Sequence, residues 1–200
     1  APNDLPDHPK AACLACVDIQ KRMVELRAKW RAEGKPELKV RIGLYSGTAV
    51  VGNMGSRNRM DYTMMGDTVN TAARLEGVNK IYGTYTLIGQ PTYEAAAGAI
   101  FARELDAVTV VGKKIPVAIY EVLGRRDDVS EAVVKTTEAY ARGLAEYRHR
   151  NWDKAIQEFN EALAVTPEDG PSLAMIRRCE AFRVNPPPED WNGAYSMTTK

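Results

Sequence analysis

The 200-residue chain has little that would suit a membrane span, a nucleic-acid surface or a disulfide-bonded scaffold. Charged residues interrupt every apolar stretch well before the roughly 18 to 20 residues that cross a bilayer. With 27 basic and 26 acidic side chains the formal charge is +1, so no electrostatic attraction to nucleic acid is expected. Three cysteines do not form a disulfide framework. These shortages predict a cytoplasmic globular chain with no nucleic-acid partner.

The start of the chain and its cysteine pair each allow two interpretations. Residues 1–7 have neither an initiator Met nor the charged-then-apolar order of a signal peptide, so we expect a piece of a longer protein. Cys13 and Cys16 form a C-x-x-C, but no second pair or nearby His pair completes a zinc site. We therefore favour packing on a helix face over metal or redox work for these thiols.

Hydrophobic spacing predicts mixed α and β structure over residues 1–124. Apolar side chains at alternating steps of four and three predict an amphipathic helix over residues 9–30. A strand with one buried face is predicted next, from the alternating residues Leu38, Val40, Ile42 and Leu44. Two further strands, at 48–54 and 62–65, would complete an antiparallel hairpin and its neighbour.

A second helix is predicted from Asp67, as N-cap, to Ile81, with Gly83 as its stop. A strand at 85–88, a helical turn at 92–97 and strands near 107–111 and 115–123, joined by a turn at 112–113, then complete an α+β pattern.

The composition becomes polar and charged at residues 124–128, and the remainder has helical patterns. We therefore divide the chain into domains 1–124 and 125–200. Five tail residues have the separations of one tetratricopeptide repeat: Gly143, Ala155, Phe159, Ala162 and Pro167. A single copy must pack on the following helix, predicted at 172–183, or on another surface. The end of the chain is expected to be extended and anchored by Trp191.

The densest signal for chemistry lies at residues 59–76, where a strand leads directly into a helix. Asn70 and Arg74 are four residues apart, so they lie side by side on one helical face. An amide next to a permanent cation suits a sugar and a phosphate. Geometry alone also allows an ordinary solvated face.

Several ordered motifs resemble the class III nucleotide cyclases, and specifically bacterial adenylate cyclases. They are Arg59-Met60-Asp61-Tyr62-Thr63-Met64-Met65-Gly66-Asp67-Thr68-Val69-Asn70-Thr71-Ala72-Ala73-Arg74-Leu75-Glu76, the glycine-punctuated residues 42–56, and Leu75-Glu76-Gly77, Tyr82-Gly83 and Ile119-Tyr120-Glu121. The resemblance covers residues 1–123. It implies a ferredoxin-like α+β cyclase domain that lacks its first strands and is followed by an all-helical tail.

The resemblance also assigns roles to individual residues. Asn70 matches the residue that orients the ribose, and Arg74 matches the one that stabilises charge developing on the phosphate. Thr63 occupies the purine-contacting position, although it also suits an ordinary strand. Gly66 belongs to the substrate site. ATP is the implied substrate, and cyclic AMP and pyrophosphate are the implied products.

The departures from the family pattern concern the metal and the phosphate contacts. The family's two metal-binding aspartates and its purine-contacting lysine would lie before Ala1, so we expect Mg²⁺ or Mn²⁺ with ligands upstream of this chain. Cys16-Val17-Asp18-Ile19 echoes the first metal motif, but its helical pattern argues against it. Val111 replaces a usual phosphate-binding lysine. Lys113 or Lys114 would substitute for it, unless they form a solvated turn.

Family members build each site between two catalytic domains, and this chain would supply the half with Asn70 and Arg74. A second cyclase domain is therefore the expected partner, and the isolated chain is expected to be inactive. Two alternatives stay open: an inactive homologue with a regulatory role, and a protein-docking role for the tail. Attachment to a membrane would occur only through upstream segments.

Overall fold

The computed structural model describes residues 4–56, 59–109 and 116–196, and it confirms the α+β class. The elements, in chain order, are α1 (His8–Ala32), β1 (Ile42–Leu44), β2 (Val50–Ser56), β3 (Arg59–Met65), α2 (Asp67–Tyr82), β4 (Thr86–Gly89), α3 (Gln90–Ala96), β5 (Ile100–Thr109), β6 (Val117–Arg125), α4 (Glu131–Arg148), α5 (Trp152–Val165), α6 (Gly170–Val184) and β7 (Tyr195–Ser196). Within these residues, no helix is both long and apolar enough to cross a membrane.

A five-stranded sheet with the order β1-β4-β6-β5-β7 forms the centre of the molecule. Strand β1 is parallel to β4, β4 and β5 are antiparallel to β6, and β7 is parallel to β5. Leu87 and Ile88, adjacent in β4, are both fully buried but belong to different apolar clusters. Successive strand side chains point to opposite faces. The sheet is therefore covered on both sides, by α2 and the tail helices on one face and by α1 and α3 on the other.

The prediction for the first strand was wrong in its length and in the strand with which it pairs. Strand β1 covers only residues 42–44, and Leu38 and Val40 are 61% and 36% exposed. Its partner is β4, with Ile42 opposite Thr86, rather than the following hairpin. Because β4 begins at Thr86, the residues before Ile42 have no strand to pair with.

Other boundaries moved by a few residues. Gly66, not Asp67, holds the N-cap position of α2, whereas Gly83 ends that helix in the left-handed conformation as predicted. Strand β5 begins at Ile100, earlier than the predicted 107, and β6 continues to Arg125, so the polar linker begins later. The predicted turn at 112–113 lies outside the described residues.

Strands β2 and β3 form a separate antiparallel ribbon, with Val50 opposite Met65 and Ser56 opposite Arg59. Every residue of β3 is exposed. Five large apolar side chains of the ribbon are more than half exposed: Val50, Met60, Tyr62, Met64 and Met65. A two-stranded ribbon is marginal alone, and an apolar surface of this kind is typical of an interface.

The tail is helical as predicted, and it packs on the sheet. Helices α4 and α5 form a close pair in which a β-carbon on Gly143 would lie 2.7 Å from the Phe159 ring, and α5 packs in turn on α6. Tyr140 donates a hydrogen bond to the Leu105 carbonyl of β5 at 2.8 Å. Trp191 packs against the same apolar core, which confirms the predicted anchor, and β7 then joins the sheet. One core thus contains residues from both sides of the expected domain boundary.

Candidate functional site

Helix α2 brings Asn70 and Arg74 together on its outer side. Its inner side is fixed by buried residues, among them four at steps of four, three and four: Thr71, Leu75, Val78 and Tyr82. Asn70 is exposed and Arg74 is half-buried. Since residues four apart on a helix have β-carbons about 5–6 Å from each other, the amide and the guanidinium can reach one bound molecule.

The first turn of α2 depends on a glycine and on a contact with the preceding loop. Gly66 has φ 139° and ψ 170°, a conformation that is essentially restricted to glycine, and its carbonyl accepts a hydrogen bond from the backbone N–H of Asn70 at 3.2 Å. Thr68 donates its hydroxyl to the Thr48 carbonyl at 2.8 Å. These constraints fix the point at which the ribbon ends and the helix that carries Asn70 begins.

Thr63 lies on the exposed ribbon two residues before the end of β3, opposite Gly52. Strand alternation puts it on the same ribbon face as Asp61 and Met65. It is therefore close in the chain to α2 but on a different element, exposed to whatever packs against the ribbon. Lys113, Lys114 and Val111 lie outside the described residues. The structure places Gly66, Asn70 and Arg74 at the start and on the outer side of α2, and Thr63 on the ribbon strand that leads into it.

The described residues do not form a metal centre. Within residues 4–56, 59–109 and 116–196, no group of three or more His, Cys, Asp or Glu side chains could hold an ion. Asp18 lies within α1 and pairs with Arg125 at 2.8 Å, as expected of a helical residue rather than a ligand. Burial raises the pKa of Cys13 to about 12, which keeps this thiol protonated, and Cys16 is buried beside it.

A buried polar cluster at the end of α2 was not predicted from the sequence. The Tyr82 hydroxyl donates to Asp106 Oδ2 at 2.6 Å, and Arg178 of α6 donates to the same carboxylate and, at 3.1 Å, to the Tyr82 oxygen. Burial raises the pKa of the Tyr82 hydroxyl well above its usual range, so it stays a donor. The signal that could have indicated it is Asp106, a charged residue directly before the strand predicted near 107–111.

A second buried cluster joins β5 and β6 to the loop before α6. Arg103 donates to Glu121 Oε2 at 2.8 Å and to both carboxylate oxygens of Asp169, at 2.6 and 3.1 Å. The Arg103 guanidinium also lies 5.0 Å from the centre of the Tyr140 ring. A cavity of about 190 Å³ adjoins this cluster. The cluster is structural in character, because both carboxylates pair with the same buried guanidinium.

Comparison with known proteins assigns the family. The profile described as "Adenylate and Guanylate cyclase catalytic domain" matches residues 3–119, which is more than half of the chain. The chain belongs to the adenylate and guanylate cyclase family. The resemblance seen in the motifs around Asn70 and Arg74 is therefore confirmed at the level of the family.

Two proteins named as adenylate cyclases are similar to this cyclase chain in sequence. "Adenylate cyclase 1" of Rhizobium meliloti is 40% identical over 132 residues, 66% of this chain and 19% of the relative. The terminal-differentiation-specific adenylate cyclase of Dictyostelium discoideum is 37% identical over 142 residues, 69% of this chain and 7% of the relative. The chain thus spans less than a fifth of these two proteins.

Two solved cyclase structures share the fold. The adenylyl cyclase CyaB from P. aeruginosa has a TM-score of 0.53 and 35% identity, covering 61% of this chain and 62% of that one. The guanylyl cyclase Cya2 has a TM-score of 0.54 and 30% identity, covering 65% of each chain. Since one neighbour is an adenylyl and the other a guanylyl cyclase, the fold defines a nucleotide cyclase without defining the base.

Proposed function

We propose that this chain is one half of an adenylate cyclase site, in a protein that converts ATP to cyclic AMP and pyrophosphate. The observation that carries the proposal is the pairing of Asn70 and Arg74 on the outer side of α2, directly after the ribbon that carries Thr63. An exposed amide and a guanidinium with this spacing match the ribose and the phosphate of one nucleotide.

The reaction depends on stabilisation of developing charge rather than on covalent catalysis by the protein. The ribose 3′ oxygen loses its proton to solvent and attacks the α-phosphorus, and the bond from that phosphorus to the departing pyrophosphate breaks. Negative charge develops on the non-bridging and leaving oxygens. The fixed guanidinium of Arg74 stabilises that charge, and the Asn70 amide hydrogen-bonds the ribose so that its 3′ oxygen faces the phosphorus.

The residue at the purine-contacting position, Thr63, favours ATP over GTP as the substrate in this proposal. Thr63 has a hydroxyl that both donates and accepts, and it occupies the position where many bacterial adenylate cyclases also carry Thr. Gly66 supports the same site, since its backbone conformation sets the start of α2. Lys113 stays a sequence prediction for phosphate binding.

The proposal requires a second cyclase domain. Asn70 and Thr63 are exposed, and the ribbon beside them presents the apolar side chains of Tyr62, Met64 and Met65. Packing this ribbon on a second copy would bury that surface and close the site over Asn70 and Arg74. We therefore infer a homodimer with sites formed at the interface.

A divalent cation, Mg²⁺ or Mn²⁺, belongs to the proposal, but the described residues of this chain do not fit it, because they contain no suitable ligand group. Its ligands would come from outside these residues. The roles given to Asn70 and Arg74 do not depend on where those ligands lie. We further propose a cytoplasmic location.

The test is cyclic AMP production by the full-length protein and two variants of α2. Arg74→Ala should lower kcat by about 10²- to 10³-fold, because it removes one charge-stabilising group. Lys80→Ala is the matched control, since Lys80 is an exposed basic residue near the other end of α2. It should stay within about twofold of the wild type, because it makes no contact in the proposed site.

Wild-type kcat in Arg74→Ala would refute the proposed role. A folded, dimeric wild-type protein without activity would favour the regulatory alternative instead. The docking alternative has less support, because the aromatic residues of the tail pack on one another: Tyr147, Trp152, Phe182 and Trp191 have ring centres 5.2 to 6.0 Å apart.

A further inference from the structure

The last turn of α2 is joined to the tail by three side chains, Tyr82, Asp106 and Arg178. Tyr82 and Asp106 are fully buried, and the Arg178 side chain is 9% exposed. Tyr82 belongs to α2, Asp106 to β5 and Arg178 to α6, so the hydrogen bonds between them connect a helix of the cyclase part, a strand and a tail helix. The charges of Asp106 and Arg178 balance.

The backbone reinforces this connection. Gly83, just after α2, has φ 70°, and a β-carbon there would lie 3.3 Å from the Gly170 α-carbon. A β-carbon on Gly170, the first residue of α6, would lie 2.5 Å from the Tyr82 carbonyl oxygen. Only glycines allow the end of α2 and the start of α6 to approach this closely.

A helix behaves as a rigid rod, so the position of its last turn affects its earlier residues. Arg74 lies eight residues before Tyr82, which is about 12 Å along the axis. A tilt of about 5° about the last turn would displace Arg74 by about 1 Å, and a misplacement of about 1 Å can lower a rate by about 10²-fold. The contacts that hold Tyr82 in place therefore also determine the position of Arg74.

We propose that Arg178 is a positioning residue for cyclisation, which through Tyr82 and Asp106 sets the orientation of α2 and hence the places of Asn70 and Arg74. The inference rests on the proposed cyclase function. It makes the helical tail part of the catalytic unit. Arg178 touches no nucleotide in this account and acts through α2 alone.

Arginine is needed here for its shape as well as its charge. Its two terminal nitrogens contact different partners, Asp106 and Tyr82, while its Cζ atom lies 4.0 Å from the centre of the Tyr195 ring. Lysine would keep the charge next to Asp106 but would lose the planar fork and the ring contact. Arg178→Lys therefore separates neutralisation of Asp106 from positioning of Tyr82.

The experiment compares steady-state kinetics of the full-length protein with Arg178→Lys and Arg178→Gln. Arg183→Gln is the matched control, because Arg183 lies on the same helix but pairs with Asp153 at the surface. We expect kcat to fall by about 10- to 100-fold in both Arg178 variants while KM for ATP stays within about threefold. Hydrogen exchange should speed up in the last turn of α2, and Arg183→Gln should match the wild type.

Tyr82→Phe keeps the test decisive if the Arg178 variants do not fold. It removes only the hydroxyl and should lower kcat about 3- to 10-fold at unchanged KM. Wild-type kcat in folded Arg178→Gln, or in Tyr82→Phe, would overturn the positioning role. If those variants are fully active while Arg74→Ala is inactive, the inference alone fails. If Arg74→Ala is fully active, the proposed function fails.

Discussion

Replacing Arg103 by Met should strongly destabilise the junction between the sheet and the tail. The Arg103 side chain is 4% exposed, and its removal leaves the carboxylates of Glu121 and Asp169 buried without a cation. Breaking a buried pair in this way typically costs about 3–5 kcal/mol, and the contact with Tyr140 is lost as well. We expect the free energy of unfolding to fall by about 4 kcal/mol.

The matched control is Arg142→Met. Arg142 pairs with Glu158 at 2.7 Å, but its side chain is 56% exposed, so this substitution should cost about 0–1 kcal/mol. For a chain of this size, about 4 kcal/mol corresponds to a Tm lower by roughly 8–16 °C. Chemical and thermal unfolding followed by circular dichroism and by tryptophan fluorescence would measure the difference.

The pH dependence of Arg103→Met provides an independent check. Burial raises the pKa of the Glu121 carboxyl, so the folded state takes up a proton at a higher pH than the unfolded state does. Without Arg103 this effect should increase, and the variant should regain stability as the pH falls below neutral. If Arg103→Met and Arg142→Met unfold within about 1 kcal/mol of each other, the account of this junction is wrong.

Three further predictions concern other parts of the molecule. Gly170→Ala should destabilise the chain by about 1–3 kcal/mol, because its β-carbon would lie 2.5 Å from the backbone carbonyl oxygen of Tyr82, and unchanged unfolding would contradict that contact. Cys13 and Cys179, with pKa values raised by burial to about 12, should resist alkylation at pH 8 until the chain is unfolded; rapid labelling of the native chain would contradict their burial. Met64→Lys should leave the monomer fold intact and weaken dimerisation in sedimentation experiments, since Met64 is exposed on the ribbon; an unchanged dimer would remove the ribbon from the interface.

Local patterns in the sequence predicted the helices well. The four-and-three spacing predicted α1 to within two residues at each end, and Gly83 ended α2 as expected. The same local information placed Asn70 and Arg74 on one helical face. These features depend on interactions within a few residues along the chain.

Pairing and docking could not be predicted in this way. Alternation at Leu38 and Val40 indicated a strand, but β4 offers no partner before Thr86. The hydrogen bonds that Arg103 donates to Asp169 and that Arg178 donates to Asp106 join residues 66 and 72 positions apart. No short pattern encodes such contacts, so the packing of the tail on the catalytic part became visible only in the fold.

The most direct test of the central claim is product analysis with the full-length protein. It would be given equal ATP and GTP with Mg²⁺ or Mn²⁺, and the isolated 200-residue chain would be assayed in parallel. The account predicts cyclic AMP and pyrophosphate in equal amounts, little cyclic GMP, and no product from the isolated chain. Cyclic GMP as the main product would contradict the proposal that ATP is the substrate. Cyclic nucleotide from the isolated chain would contradict the proposal that this chain supplies only half of the active site.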